Sequence, residues 1–165
     1  MSFEAQLEVG KHGERVVARI LRERGWYIVP SYDFTGTDGA KAPRMIGQRL
    51  GFVIPDLDIA RGGTRYWVEV KTKTAADFTR ITQRFEHGMQ LRHYTDYQRV
   101  QQESASPVWI FVLELAASEL LFIALDKIED MKRVYDGRKM GRGGMVYWPR
   151  AAMRVLCRIA QGGTR

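Results

Sequence analysis

Pro55-Asp56-Leu57-Asp58-Ile59-Ala60-Arg61-Gly62-Gly63-Thr64-Arg65-Tyr66-Trp67-Val68-Glu69-Val70-Lys71 is the stretch that decides how this chain is read. Two apolar runs flank a Gly-Gly pair, which is the signature of a β-hairpin. Side chains alternate along a strand with a period of two. Leu57 and Ile59 therefore share one face, and Asp56 and Asp58 the other. On the second strand Val68 and Val70 lie opposite Glu69 and Lys71. A two- or four-residue loop sets Asp56 across from Glu69 and Asp58 across from Trp67. A three-residue loop would set Asp58 across from Glu69. In either register Leu57, Ile59, Val68 and Val70 form the core face, and Asp56, Asp58, Glu69 and Lys71 gather on the polar one.

Carboxylates held side by side repel unless a positive charge separates them. A divalent cation and Lys71 are the two candidates. Carboxylate oxygens suit a hard ion such as Mg²⁺. Such an ion could polarise a phosphate and acidify a bound water, and Lys71 could orient that water or offset the charge that develops on the phosphate. Glu-x-Lys is not distinctive by itself, since Asp130-Met131-Lys132 also fits acidic-x-Lys. The apolar strand residues and the preceding aspartates are what single out Glu69 and Lys71.

Upstream, residues 3–25 read as a helix ending at Gly25. Glu14 shares a stripe with Gly10, Val17, Ala18 and Leu21. A carboxylate on a core-facing stripe is costly unless it is paired or bound to metal. Gly10 and Gly13 leave room for a close approach of another backbone or a ligand. The plainer alternative puts Glu14 at the edge of the stripe, paired with Lys11 or Arg15.

The order Gly13-Glu14, Ala18, Leu21, Gly25-Trp26, then Asp58-Ile59-Ala60-Arg61, then Trp67-Val68-Glu69-Val70-Lys71-Thr72 resembles the PD-(D/E)xK nuclease superfamily. The style is that of its Holliday-junction-resolvase-like, restriction-endonuclease-like branch, and the resemblance covers roughly residues 8–110. It implies an α/β (α+β) fold with a mixed central β-sheet flanked by helices, and phosphodiester cleavage in DNA dependent on Mg²⁺ or Mn²⁺. Glu14 would be the helical carboxylate near the metal, Asp58 and Glu69 metal ligands, and Lys71 the catalytic lysine. Asp56 competes with Asp58, because Pro55-Asp56 matches the literal "PD". Residues 31–50 make a longer connection than the branch leads one to expect, which leaves junction specificity open.

The 165 residues suit one domain able to bury its own core. We expect the core over about 3–125 and a basic C-terminal extension over about 126–165. An apolar content of 45% points to a globular chain. No apolar run approaches the length of a membrane span, and the polar, acidic start Ser2-Phe3-Glu4-Ala5-Gln6 is not that of a signal peptide. Cys157 is the single cysteine, so an intramolecular disulfide and a Cys-rich zinc site are excluded. A reducing cytoplasm is the expected location. His12, His87 and His93 lack metal-ligand spacing, which argues against a His-based nuclease or a Ser-His-Asp hydrolase.

The net charge of +7 suits a polyanionic partner. From Met131 onward Lys132, Arg133, Arg138, Lys139, Arg142, Arg150, Arg154, Arg158 and Arg165 stand against Asp136 alone, a bias that suits phosphate contact. The candidates for touching nucleic acid are Lys73, Arg80 and Arg84, interleaved with Phe78 and Phe85, together with Gln90, Arg138, Lys139 and Arg142. DNA is the expected partner, RNA is not excluded, and no membrane contact is expected. Many such nucleases work as symmetric homodimers because two strands must be cut, but no interface is visible in the sequence. Further along, a helix is predicted over about 89–103, with Tyr94 and Tyr97 as core residues whose hydroxyls reach the rim. Strands are predicted over 107–115, 120–125, 145–148 and 153–159, and Asp126 is predicted to cap a helix of about ten residues.

Overall fold

The computed structural model describes residues 3–30, 44–46, 51–137 and 143–159. Arg138, Lys139 and Arg142 lie outside the described residues, as does most of the 31–50 connection.

Helix α1 (Phe3–Glu23) opens the chain and stops before Gly25, which takes the left-handed conformation at φ 82° that glycine accepts without strain. Strand β1 (Tyr27–Pro30) follows. The hairpin β2 (Arg44–Ile46) and β3 (Gly51–Val53) stands apart as its own two-stranded sheet. Strands β4 (Leu57–Arg61) and β5 (Thr64–Lys73) form the expected hairpin. Arg61 faces Thr64 across the two-residue Gly62-Gly63 turn, both glycines at positive φ. Of the two registers considered, the structure takes the one that sets Leu57 against Val68 and Asp58 against Trp67.

Beyond β5 come β6 (Asp77–Thr79), β7 (Arg84–Gln90), helix α2 (Leu91–Ser104), β8 (Val108–Glu114), β9 (Glu119–Ala124) and α3 (Leu125–Glu129). The chain closes with β10 (Arg133–Tyr135), β11 (Met145–Pro149), a 3-10 turn at Arg150–Ala152, and β12 (Arg154–Arg158). The central sheet has the order β1-β4-β5-β8-β9-β12. It is mixed, because β5 and β8 are parallel while the other pairs are antiparallel. Its parallel pair is joined by the long crossover through β6, β7 and α2, as such a pair requires. A second, antiparallel sheet has the order β10-β11-β7-β6.

Each face of the central sheet has its own apolar core. Val17, Ile20 and Leu21 of α1 pack on Leu57, Ile59, Val68, Val70, Phe111 and Leu113. On the opposite face Tyr94, Tyr97 and Val100 of α2, together with Met89, Val146 and Trp148 of the second sheet, cover Trp67, Ile110, Val112 and Ile123. Strand β8 is thus buried on both sides, as its dense apolar run requires.

Two expectations are corrected. The helix after β9 has five residues and not about ten, and Asp126 does not cap it: Ala124 is the N-cap and no side chain bonds there. The basic segment expected as an extension over about 126–165 is no appendage, since β12 completes the central sheet and β10 and β11 join β7 and β6 in the second one. Among the described residues no helix is long and apolar enough to cross a membrane.

Candidate active site

Where β4 stops decides where the site forms. Pairing of β4 with β5 begins at Leu57 and Val68, so from Glu69 onward β5 has no β4 partner on that side. The chain leading into β4 fills the gap with a side chain. Asp56 is buried, and its Oδ2 accepts a hydrogen bond from the Val70 backbone N–H at 2.8 Å. A carboxylate thus takes the place of the missing strand.

Glu69 points from β5 toward α2 and is only 2% exposed. Its Oε2 accepts a 2.6 Å hydrogen bond from the Tyr97 hydroxyl, and its Oε1 pairs with the Lys71 ammonium. Glu14 arrives from α1 because that helix approaches β5 very closely. A Cβ on Gly13 would fall inside the van der Waals shell of Thr72 Oγ1 and 3.3 Å from Thr72 Cβ. Glycine at this point lets the neighbouring residue come near the polar end of β5.

Charge binds these groups into one cluster. Burial pushes the Glu14 carboxyl up to about 7, the negative charge of Glu69 pushes it the same way, and Lys71, Lys11 and Arg15 hold it back. Asp56 is raised well above the usual carboxylate range, first by burial and then by Glu69 and Glu14, against Lys71 and the Val70 amide. Burial works against the charge on Lys71, but Glu69, Asp56 and Glu14 outweigh it and raise the ammonium above its ordinary value. Three carboxylates and one amine therefore interact, with negative charge in excess.

Asp58, the preferred metal ligand in the sequence reading, is not part of this cluster. Arg65 grips both its oxygens, Nε to Oδ1 at 2.9 Å and Nη2 to Oδ2 at 2.7 Å, and itself lies over the Trp67 ring. Asp58 sits two residues farther along β4 and is absent from the charges that shift Glu14, Asp56 and Lys71. Asp56, the alternative, occupies the place. Period two puts both aspartates on one face, so only the end of the strand pairing and the reach of Arg65 separate them.

Helix α2 contributes differently from expectation. Gln90 stands just before its first residue and accepts a bond from Arg92 Nε at 3.0 Å, with no described bond to the cluster. Tyr97 is the residue of α2 that reaches Glu69. One turn earlier His93 lies with its ring centroid 6.1 Å from that of Tyr97. Burial lowers the pKa of the His93 imidazole, Lys71 lowers it further, and Glu69 opposes them. The i,i+4 spacing of His93 and Tyr97 was the available signal for both. Lys73, Arg80 and Arg84 are exposed, Lys73 at the end of β5 and the two arginines beside the β6–β7 turn.

All the oxygen donors here are hard carboxylates, and burial first, with their mutual repulsion second, raises two of them, which is the chemistry a divalent cation would relieve. Asp56, Glu69 and Glu14 are the residues that would hold it. Among the described residues, no three His, Cys, Asp or Glu side chains stand grouped as a ready metal cage. Lys71 engages Glu69 directly through Oε1. The donor set fits, with one of its three carboxylates engaged by the amine.

No protein-family model and no curated protein matches the chain. Solved structures do. Hjc of Archaeoglobus fulgidus, a Holliday junction resolvase from an archaeal hyperthermophile, superposes with a TM-score of 0.56 at 12% identity, over 87% of this chain and 90% of that one. D212, a nuclease from a fusselovirus, matches with a TM-score of 0.50 at 9% identity, over 94% and 88% of the respective chains. The restriction-endonuclease-like fold implied by the motif order is the fold this chain adopts.

Proposed function

We propose that this chain is a metal-dependent endonuclease that hydrolyses phosphodiester bonds in DNA. The observation that carries the reading is the convergence of Asp56, Glu69, Lys71 and Glu14 at the open edge of β5, on a fold shared with nucleases. Asp56 and Glu69, with Glu14 beside them, would hold the ion. When bound, Mg²⁺ supplies a Lewis acid and lowers the pKa of water. Lys71, held among carboxylates, stays protonated and offers its charge and three donors to the phosphate or the attacking water. Tyr97 fixes the carboxylate plane of Glu69. The exposed Lys73, Arg80 and Arg84 bind the phosphate backbone without reading sequence.

A second reading keeps the fold without the chemistry, as a nucleic-acid-binding module. It is favoured by the direct Lys71–Glu69 pair and the lack of a grouped donor set among the described residues. Nicking of supercoiled plasmid DNA, with Mg²⁺ and with a chelator, separates the two. The nuclease reading expects nicking only with the metal. It also expects Lys71→Ala to abolish cleavage while DNA binding survives. Metal-dependent cleavage retained by purified Lys71→Ala would refute the assignment.

A further inference from the structure

The β6–β7 hairpin carries large apolar side chains that neither core uses. Phe78 is 53% exposed, Phe85 57%, and Ile81, in the turn, 82%. Phe78 faces Phe85 across the ladder, with ring centroids 5.3 Å apart and planes at 65°. The turn between the strands is internally tied. Gln83, at φ 52°, donates from Nε2 to the Arg80 carbonyl at 2.6 Å, and Thr82 Oγ1 donates to Glu86 at 2.9 Å. Two aromatic rings are therefore presented to solvent on a braced support.

The register places this pair beside the candidate site. His87 Nε2 lies 2.8 Å from Glu114 Oε1, and Arg150 grips the same carboxylate through Nε and Nη2. This buried group fastens β7 to the end of β8. Glu114 is in register with Lys73, two residues past Lys71 on the same face of β5. Phe85 lies two residues before His87, again on the same face, and so about 7 Å farther out along β7. The rings therefore stand beyond the carboxyl ends of β5 and β8. Arg80 in the turn, Arg84 on β7 and Lys73 at the end of β5 are exposed cations, against the exposed Asp77. Glu86 is already bound by Arg133 at 2.7 Å.

We propose that Phe78 and Phe85 form a platform on which an unpaired base of the bound DNA stacks, so that the substrate is DNA carrying bases outside the duplex next to the cut. The proposal rests on the nuclease reading and names its substrate class. Aromatic rings interleaved with cations suit a strand whose bases are free, because every base has a π face to stack and every linkage a phosphate to neutralise. A fully paired duplex shows only base edges in its grooves and gives the rings nothing to stack on.

The test is binding of the full-length protein, in chelator so that nothing is cut, to oligonucleotides carrying 2-aminopurine. The fluorescent base is placed in a short unpaired bulge in one substrate and in a continuous duplex in the other. Wild-type protein should quench the unpaired probe and leave the paired one unchanged. Phe78→Ala/Phe85→Ala should weaken binding to the bulged DNA about tenfold or more and to the duplex less than twofold. Phe85→Trp should preserve both, and both variants should keep the wild-type circular dichroism, since the rings lie at the surface. Equal weakening on both substrates, or no weakening, overturns the platform. So does a loss of self-association by light scattering in the double variant with its preference for bulged DNA intact, which would assign the patch to a second copy. Metal-dependent nicking without quenching leaves the nuclease standing and removes the platform. Quenching without nicking does the reverse.

Discussion

Replacing Gly13 by alanine should destabilise this protein, although the same change elsewhere in a helix does the opposite. Alanine in place of glycine in a helix interior ordinarily gains about 1 kcal/mol. Gly10, three residues earlier in α1, has open space around a built Cβ, so Gly10→Ala should show that gain. At Gly13 the new methyl group would meet Thr72 Oγ1 well inside contact distance. Turning Thr72 about χ1 moves Oγ1 but not Cβ, which stays 3.3 Å from the new methyl group, closer than an ordinary contact. Either α1 or β5 must give way, and overpacking of this kind costs about 1–3 kcal/mol. Set against the propensity gain of about 1 kcal/mol, we expect a net loss centred on about 1 kcal/mol, which lowers Tm by about 3 °C in a chain of this length. Thr72 Oγ1 is buried without a hydrogen-bond partner, so deleting it forfeits none. Gly13→Ala/Thr72→Ala should therefore recover most of the loss, with a coupling of about 2 kcal/mol between the two sites. Urea and thermal unfolding of the four proteins of the cycle, with Gly10→Ala as control, supply the measurement. A Gly13→Ala protein that melts above wild type, or a cycle with no coupling, refutes the close approach of α1 to β5 that brings Glu14 to the site.

The aspartates give a second test: Asp56→Asn should abolish metal-dependent nicking, while Asp58→Asn, which loses only the ion pair to Arg65, should keep most of it; the opposite pattern would return the metal to Asp58. Tyr97→Phe leaves one oxygen of a buried carboxylate without its donor and should cost about 1–2 kcal/mol in urea unfolding; an unchanged midpoint would show that this bond contributes nothing. The pH dependence follows from Glu14, raised from 4.5 to about 7, and Asp56, raised from 3.8. Between those unfolded and folded values the native state binds more protons, so without divalent ions stability falls as pH rises from about 4 through 7. For Glu14 the loss is about 3 kcal/mol if fully buried and about 2 kcal/mol once partial exposure is allowed for. Mg²⁺ should restore Tm at pH 8 and have little effect at pH 5. A Tm that stays flat over this range and ignores Mg²⁺ would contradict the crowding of Glu14 and Asp56.

Much of the fold was legible because its decisive signals are local. The Gly62-Gly63 turn and the alternation on either side of it limited the β4–β5 register to two, and the run 108–114 announced burial on both faces. The site was legible as a set of residues but not as an arrangement. Asp56 and Asp58 share a parity, so only a non-local fact, the end of pairing at Leu57, decides between them. Arg65 stood in view as a cation near Asp58, but its grip needs the register to be known first. The second sheet was hidden for a related reason. Strand β11 was expected over 145–148, but its partner β7 lies more than fifty residues away, in a stretch of mixed basic and aromatic residues that showed no strand pattern. Tyr97 was placed in the core correctly, but the partner of its hydroxyl depends on where α2 crosses β5.

The carboxylate that fills the gap beside Val70 has one more consequence. A sheet whose outer strand ends early offers bare main-chain groups to any passing chain, and such borders seed aggregation. Here a buried side chain closes the border, and Glu69 and Lys71 place charges next to it. The groups assigned to chemistry thus also guard the molecule against its own copies, and removing the acceptor altogether, as in Asp56→Ala, should make the protein less soluble as well as less active.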